Sequence, residues 1–145
     1  MNLLKELENL TIPDRIEKIK EIIYKESDNP ERIKILGATK GIDLERIKIA
    51  YECGIKIFGE NRVQEAEKKI KIFDKPEWHM IGHLQTNKVK KAINLFSMIE
   101  SVDSFKLAQE IDRIGNKMNK KIQILIEVNT SGEETKYGFK REDLL

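Results

Sequence analysis

From Arg32 onward, short β-rich runs alternate with stretches of helical periodicity five times, and this rhythm restricts the fold more than any other feature of the chain. The first run, Ile33, Ile35 and Leu36, leads into Gly37-Ala38-Thr39-Lys40-Gly41, where turn residues end it. Further β-like runs are expected at residues 55–59, 78–82, 96–100 and 122–129. Between them Leu44, Ile47 and Tyr51 share a helical face that Gly54 terminates. Leu107, Ile111, Ile114 and Met118 repeat that pattern, with Gly115 as a weak point inside it. Strands joined by crossover helices run parallel, so the chain reads as α/β with a covered parallel sheet. That sheet is either open and doubly wound or the wall of a (β/α) barrel, and periodicity does not separate the two. Ahead of the first strand, Leu3, Leu4, Leu7 and Leu10, then Ile16, Ile19 and Ile23, predict two helices, with Thr11 and Asp14 as a capping pair between them.

At 145 residues the chain suits one domain spanning residues 1–145. Its 27 Lys+Arg nearly balance 25 Asp+Glu, and a formal net charge of +2 gives no pull toward nucleic acid or an anionic membrane. The longest apolar stretches are far too short to span a bilayer, and the N-terminus lacks a signal-peptide profile, so a cytoplasmic protein is expected. Cys53 is the single cysteine, which excludes an internal disulfide and reads as a packing residue.

In either architecture ligands gather where the strands end, so the residues following each strand are the candidates. They are Thr39-Lys40-Gly41, Gly59-Glu60-Asn61-Arg62, Gly82 to Lys88, Ser101-Val102-Asp103, and Asn129 to Glu134. A lysine entering a desolvated mouth becomes a neutral amine nucleophile toward carbonyls, and Lys40 has small neighbours that leave room for a flat ligand. The plainer reading of Lys40 is a solvated turn lysine. His79 and His83 have an i, i+4 spacing, but on extended chain that separates them by about 13 Å, too far to share a metal ion. His79 therefore points toward a ligand or is a hydrogen-bonded core histidine. Glu60 and Asn61 either face a ligand or cap the helix carrying Val63, Ala66 and Ile70. Lys68, Lys69 and Lys71, like Lys88, Lys90 and Lys91, read as solvated helix faces without the interleaved aromatics of a nucleic-acid site.

Four stretches, ILGATKG at 35–41, FGENRVQEAEKKI at 58–70, WHMIGHLQTNKVK at 78–90 and EVNTSGEETKYGF at 127–139, together resemble the pyridoxal 5′-phosphate (PLP) homeostasis family. That family is related to the alanine racemase N-terminal barrel. The resemblance covers nearly everything from Arg32 onward and implies a TIM-type (β/α) barrel, here incomplete at about five strands. It implies that Lys40 holds the PLP aldehyde as an imine, with Asn61 and His79 near the cofactor and residues 84–88 on the same rim. It further implies a non-enzymatic carrier that buffers PLP and vitamin B6, with PLP-dependent apoenzymes as partners and a monomeric full-length form.

A complete barrel has eight strands and roughly 200 or more residues. The resemblance puts the phosphate-binding loops and the arginine facing the pyridine nitrogen beyond residue 145, so weak PLP binding and self-association of this chain are expected. Three other readings remain open from sequence. One is a PLP-dependent racemase or decarboxylase using Tyr137, Glu133 or Glu134, although a surface loop is the plainer place for those residues. The others are a cofactor-free lysine aldolase and a remnant without ligand.

Overall fold

The structure is a computed structural model and describes residues 9–133 and 135–144. Helix α1 (Ile12–Glu26) starts where the Thr11 hydroxyl accepts a bond from the Asp14 amide, as the capping pair predicts. The other expected N-terminal helix falls almost wholly on residues 1–8, outside the described residues.

Five strands and their crossovers then follow in strict alternation. They are β1 (Leu36–Ala38), α2 (Leu44–Glu52), β2 (Ile57–Glu60), α3 (Val63–Ile70), β3 (Glu77–Met80), α4 (Val89–Leu95), β4 (Met98–Val102), α5 (Phe105–Lys117) and β5 (Gln123–Ile126). Every pairing is parallel and the spatial order is β1-β2-β3-β4-β5. A doubly wound sheet reverses its order at a switch point, whereas a barrel wall adds each strand beside its predecessor in one direction. The topology therefore decides what periodicity left open: the sheet is the wall of an incomplete (β/α) barrel.

Side-chain alternation divides the wall into two faces. On the convex face Phe58, Trp78, Met80 and Ile99 are buried against Ile47, Val63, Ala66, Val89, Ala92, Leu107 and Ile111 of the helices. The concave face carries Leu36, Ile57, His79 and Met98 and opens onto a cleft of about 730 Å³. All four residues of β5 are exposed, Ile124, Leu125 and Ile126 among them. On the outside, Lys91 of α4 bonds Glu67 of α3 at 2.6 Å. That hydrogen bond holds the Glu67 carboxyl below its ordinary value, so the link is complete at neutral pH and weakens as pH falls through the lowered pKa. No helix among the described residues is long and apolar enough to cross a membrane.

The run expected at 55–59 lies at Ile57–Glu60 and the run expected at 78–82 at Glu77–Met80, and two further boundaries shift for identifiable reasons. The run expected at 96–100 begins at Met98, because the Phe96 amide caps α4 through the Ala92 carbonyl and its ring belongs to the core. The run expected at 122–129 ends at Ile126. Beyond it the chain returns on itself, Asn129 donating to Phe139 at 2.9 Å and Phe139 to Glu127 at 2.8 Å. The last turn, Arg141–Leu144, is 3-10 helical.

Ile99 is fully buried in the fourth strand with neighbours on both sides. Ile99→Ala should lower the unfolding free energy by about 2–5 kcal/mol in urea titration, the usual cost of truncating a buried aliphatic side chain to alanine.

Candidate functional site

The end of β1 is built as a fixed turn. The Thr39 amide donates to the Gly59 carbonyl at 2.9 Å, carrying the β1–β2 ladder one residue past the strand. The Ile42 amide then donates to the Thr39 carbonyl at 3.0 Å and closes a four-residue turn. Gly41, third in that turn, has φ +70°, a conformation that glycine adopts without strain. Lys40 is exposed between them, and its amine has no hydrogen-bond or ion-pair partner among the described residues.

The register orders the other candidates around this turn. Ala38, Gly59, His79 and Met98 lie side by side across the first four strands. Lys40 and Asn61 each follow that row by two residues, past the ends of β1 and β2, so they lie toward the rim and His79 in the row beneath. His79 is buried; its Nδ1 lies 2.5 Å from Glu100 Oε1, and its Nε2 lies 3.8 Å from Glu77 Oε2. A carboxylate at Nδ1 orients the ring and favours a proton on that nitrogen. Asn61 is held by a close backbone approach: a Cβ on Gly82 would stand 2.6 Å from the Asn61 carbonyl oxygen.

Two sequence expectations are corrected here. Glu60 neither caps the following helix nor faces a ligand, for it is fully buried in β2, and Arg62 occupies the cap without a side-chain bond. Strand alternation turns its carboxylate under α3, where Oε1 accepts the Thr39 hydroxyl at 2.7 Å and pairs with Lys69. Oε2 of Glu60 is buried without a hydrogen-bond partner. Lys69 is not solvated either: its side chain is 14% exposed, and its amine donates to the Thr39 carbonyl at 2.7 Å. It follows buried Ala66 by three residues, a spacing that puts it on the inner face of α3 and was the available signal.

A second rim cluster went unpaired in the sequence reading. His83 Nδ1 lies 2.5 Å from Asp103 Oδ2, and the imidazole stacks on Tyr137 with centroids 3.9 Å apart. Tyr137 is an exposed loop residue, as expected, yet its ring is committed to His83. Glu133 pairs with Lys136 at 2.7 Å, and Glu134 lies outside the described residues. The His83 contacts join separate loops, and no periodicity encodes them.

Comparison with known proteins decides the family. Residues 30–145 match the alanine racemase N-terminal domain. The chain belongs to that family. It is 44% identical over 138 residues to the pyridoxal phosphate homeostasis protein of Aquifex aeolicus, covering 90% of this chain and 60% of that protein. The protein of the same name from Synechocystis is 37% identical over 118 residues, with 79% and 54% covered. Among solved structures, PipY of Synechococcus elongatus without PLP superposes with a TM-score of 0.81 at 31% identity, covering 92% of this chain and 61% of PipY. PipY with PLP bound gives 0.77 at 30% identity, with 92% and 60% covered. Alanine racemase of Clostridium difficile, at 16% identity and a TM-score of 0.63 over 79% of this chain and 31% of the racemase, shares the fold. The chain thus spans about 60% of the length of its relatives, in keeping with five strands of an eight-stranded barrel.

Gly82→Ala tests the contact that holds Asn61. The added methyl would press on the carbonyl oxygen, Cα and Cβ of Asn61, none of which can swing away without the backbone, so the substitution should destabilise by about 1–3 kcal/mol in urea titration and shift the Asn61 amide resonance.

Proposed function

We propose that this chain is a single domain that binds PLP through Lys40 and serves as the imine-holding portion of a non-enzymatic PLP carrier in vitamin B6 homeostasis. The observation that carries the reading is the state of two neighbouring lysines. The Lys69 amine is committed as a donor to a carboxylate and a carbonyl on the covered side of the sheet. The Lys40 amine, on a turn fixed by two backbone bonds, has no such partner among the described residues and remains available for a carbonyl ligand. The names of the relatives and the PLP bound in PipY support PLP as that ligand.

The residues present suit one end of the cofactor. PLP supplies an aldehyde, and the Lys40 amine condenses with it, forming the C=N bond with release of water. Ala38, small and exposed two residues before Lys40, leaves space for a flat ring there, while the Leu36 and Ile81 side chains fill the space over Gly59. Asn61 is the rim amide best placed to bond a ring substituent. His79, turned by Glu100, supports the row beneath. In barrels the phosphate is commonly held by loops after strands seven and eight, which correspond to a part of the relatives that this chain does not span. Residues 1–145 alone are therefore expected to hold PLP weakly, since imine formation and ring contacts act without the anion site. PLP-dependent apoenzymes in the cytoplasm are the recipients this reading assigns. It also has the 145-residue chain self-associating through the exposed strand β5.

Incubation with PLP, borohydride reduction and peptide mapping test the proposal. The label should appear on Lys40 and disappear in Lys40→Ala, while the unfolding midpoint of that variant stays within error of the parent. A label distributed over other lysines, or unchanged in the variant, refutes the assignment.

A further inference from the structure

The Lys40 turn has a second support on the side away from the ligand, and that support is charged. Glu60 is fully buried, and an isolated carboxylate there would be strongly disfavoured. Lys69, reaching in from α3, provides the opposing charge and uses a second donor on the Thr39 carbonyl at 2.7 Å. The Thr39 hydroxyl, 2.7 Å from Glu60 Oε1 and 3.0 Å from the Gly59 carbonyl, ties the same residue to β2. The Thr39 amide is bonded to Gly59 as well, so every polar atom of Thr39 is engaged. The peptide bond that leads into Lys40 is thereby held from the sheet and from the helix together.

We propose that Lys69 is a positioning residue for Lys40, its ammonium locking the Thr39 carbonyl and the Glu60 carboxylate so that the Lys40 side chain is presented to the concave face. The inference rests on the reading of Lys40 as the imine-forming lysine. Stability alone does not call for this arrangement, because a buried ion pair is commonly matched or exceeded by well-packed aliphatic side chains of similar volume. What an aliphatic pair lacks is a donor for the Thr39 carbonyl. That bond does not touch the ligand; it fixes the backbone from which the reacting amine projects. Small errors in such placement are costly, since a displacement of about 1 Å can slow a reaction by roughly a hundredfold.

This difference separates positioning from mere support. Lys69→Met alone leaves a buried unpaired carboxylate and is expected to fold poorly. The paired variant Glu60→Leu with Lys69→Met removes both charges and keeps the volume, so its unfolding midpoint should lie close to that of the parent. Two readouts follow, both below the midpoint of either protein and with the amides of α5 as the reference for global opening. In the cofactor-free proteins the Ile42 amide, which donates to Thr39, should exchange with deuterium about tenfold faster in the paired variant relative to that reference. With PLP added, borohydride-trapped label on Lys40 should accumulate at least about tenfold more slowly per folded molecule. Equal exchange and equal labelling of Lys40 in the two proteins overturn the positioning role while leaving the Lys40 assignment standing. Absence of label from Lys40 in the parent protein has a different signature: it removes the imine reading and this inference with it.

Discussion

Two parallel strands cannot be joined by a tight turn, and the remaining features of this molecule depend on that constraint. Each of β2 to β5 is reached only after the chain has crossed back as a helix, and each lies beside the strand before it. Helices of one hand laid down in this order collect on one face of the wall and supply its core. The opposite face, and the rim where all strands end, are left to residues that packing does not claim. Lys40, Asn61, His83 and Asp103, far apart in sequence, reach that rim because each follows the end of a strand running the same way.

Alternation along β1 and β2 then gives neighbouring residues opposite duties. Thr39 and Glu60 turn under α3 and are buried, while Lys40 and Asn61, each one residue later, belong to the open side. Placing a carboxylate in the covered layer costs more than a neutral side chain would, and the cost is offset only by a cation that can reach it. Lys69 meets that demand from the inner face of α3. The outer side of the same helix is tied to α4 through Glu67 and Lys91, so the helix carrying the buried cation is held on both flanks.

The wall was legible in the sequence because it depends on periodic patterns: five strands, their crossover helices, the Thr11 cap and the Gly54 stop follow from spacing alone. The choice of barrel over doubly wound sheet was not, since strand order is a long-range property and the periodicity is common to both. Within the site, Lys40 was located by its place after the first strand, and the family motifs gave it a role. The contacts of Glu60 were missed because an isolated Glu beside an Asn at a strand end reads as a cap, and only the strand's phase turns it inward. Lys69 was missed for a related reason. In a run of lysines, the member that shares the buried face is hidden by its solvated neighbours. The stacking of His83 on Tyr137 joins loops after two different strands, and local pattern carries no trace of it.

The position of β1 explains why the Lys40 turn is anchored from elsewhere. Strand β1 has three residues and among the described residues pairs with β2 alone, so its ladder here gives little resistance to local opening. Strands β2 and β3 are flanked on both sides and bury Phe58, Trp78 and Met80, and β2 is buried at all four of its residues. Apart from the turn bond from Ile42, the bonds that fix Thr39 come from this better-stabilised region: two from β2 through Gly59, one from the Glu60 carboxylate, one from Lys69 on α3. A three-residue strand can thus end in a fixed turn, provided its last residue is bound to something more stable than itself. In that arrangement the rigidity of the site is borrowed from the covered layer, and the open face remains free for a ligand.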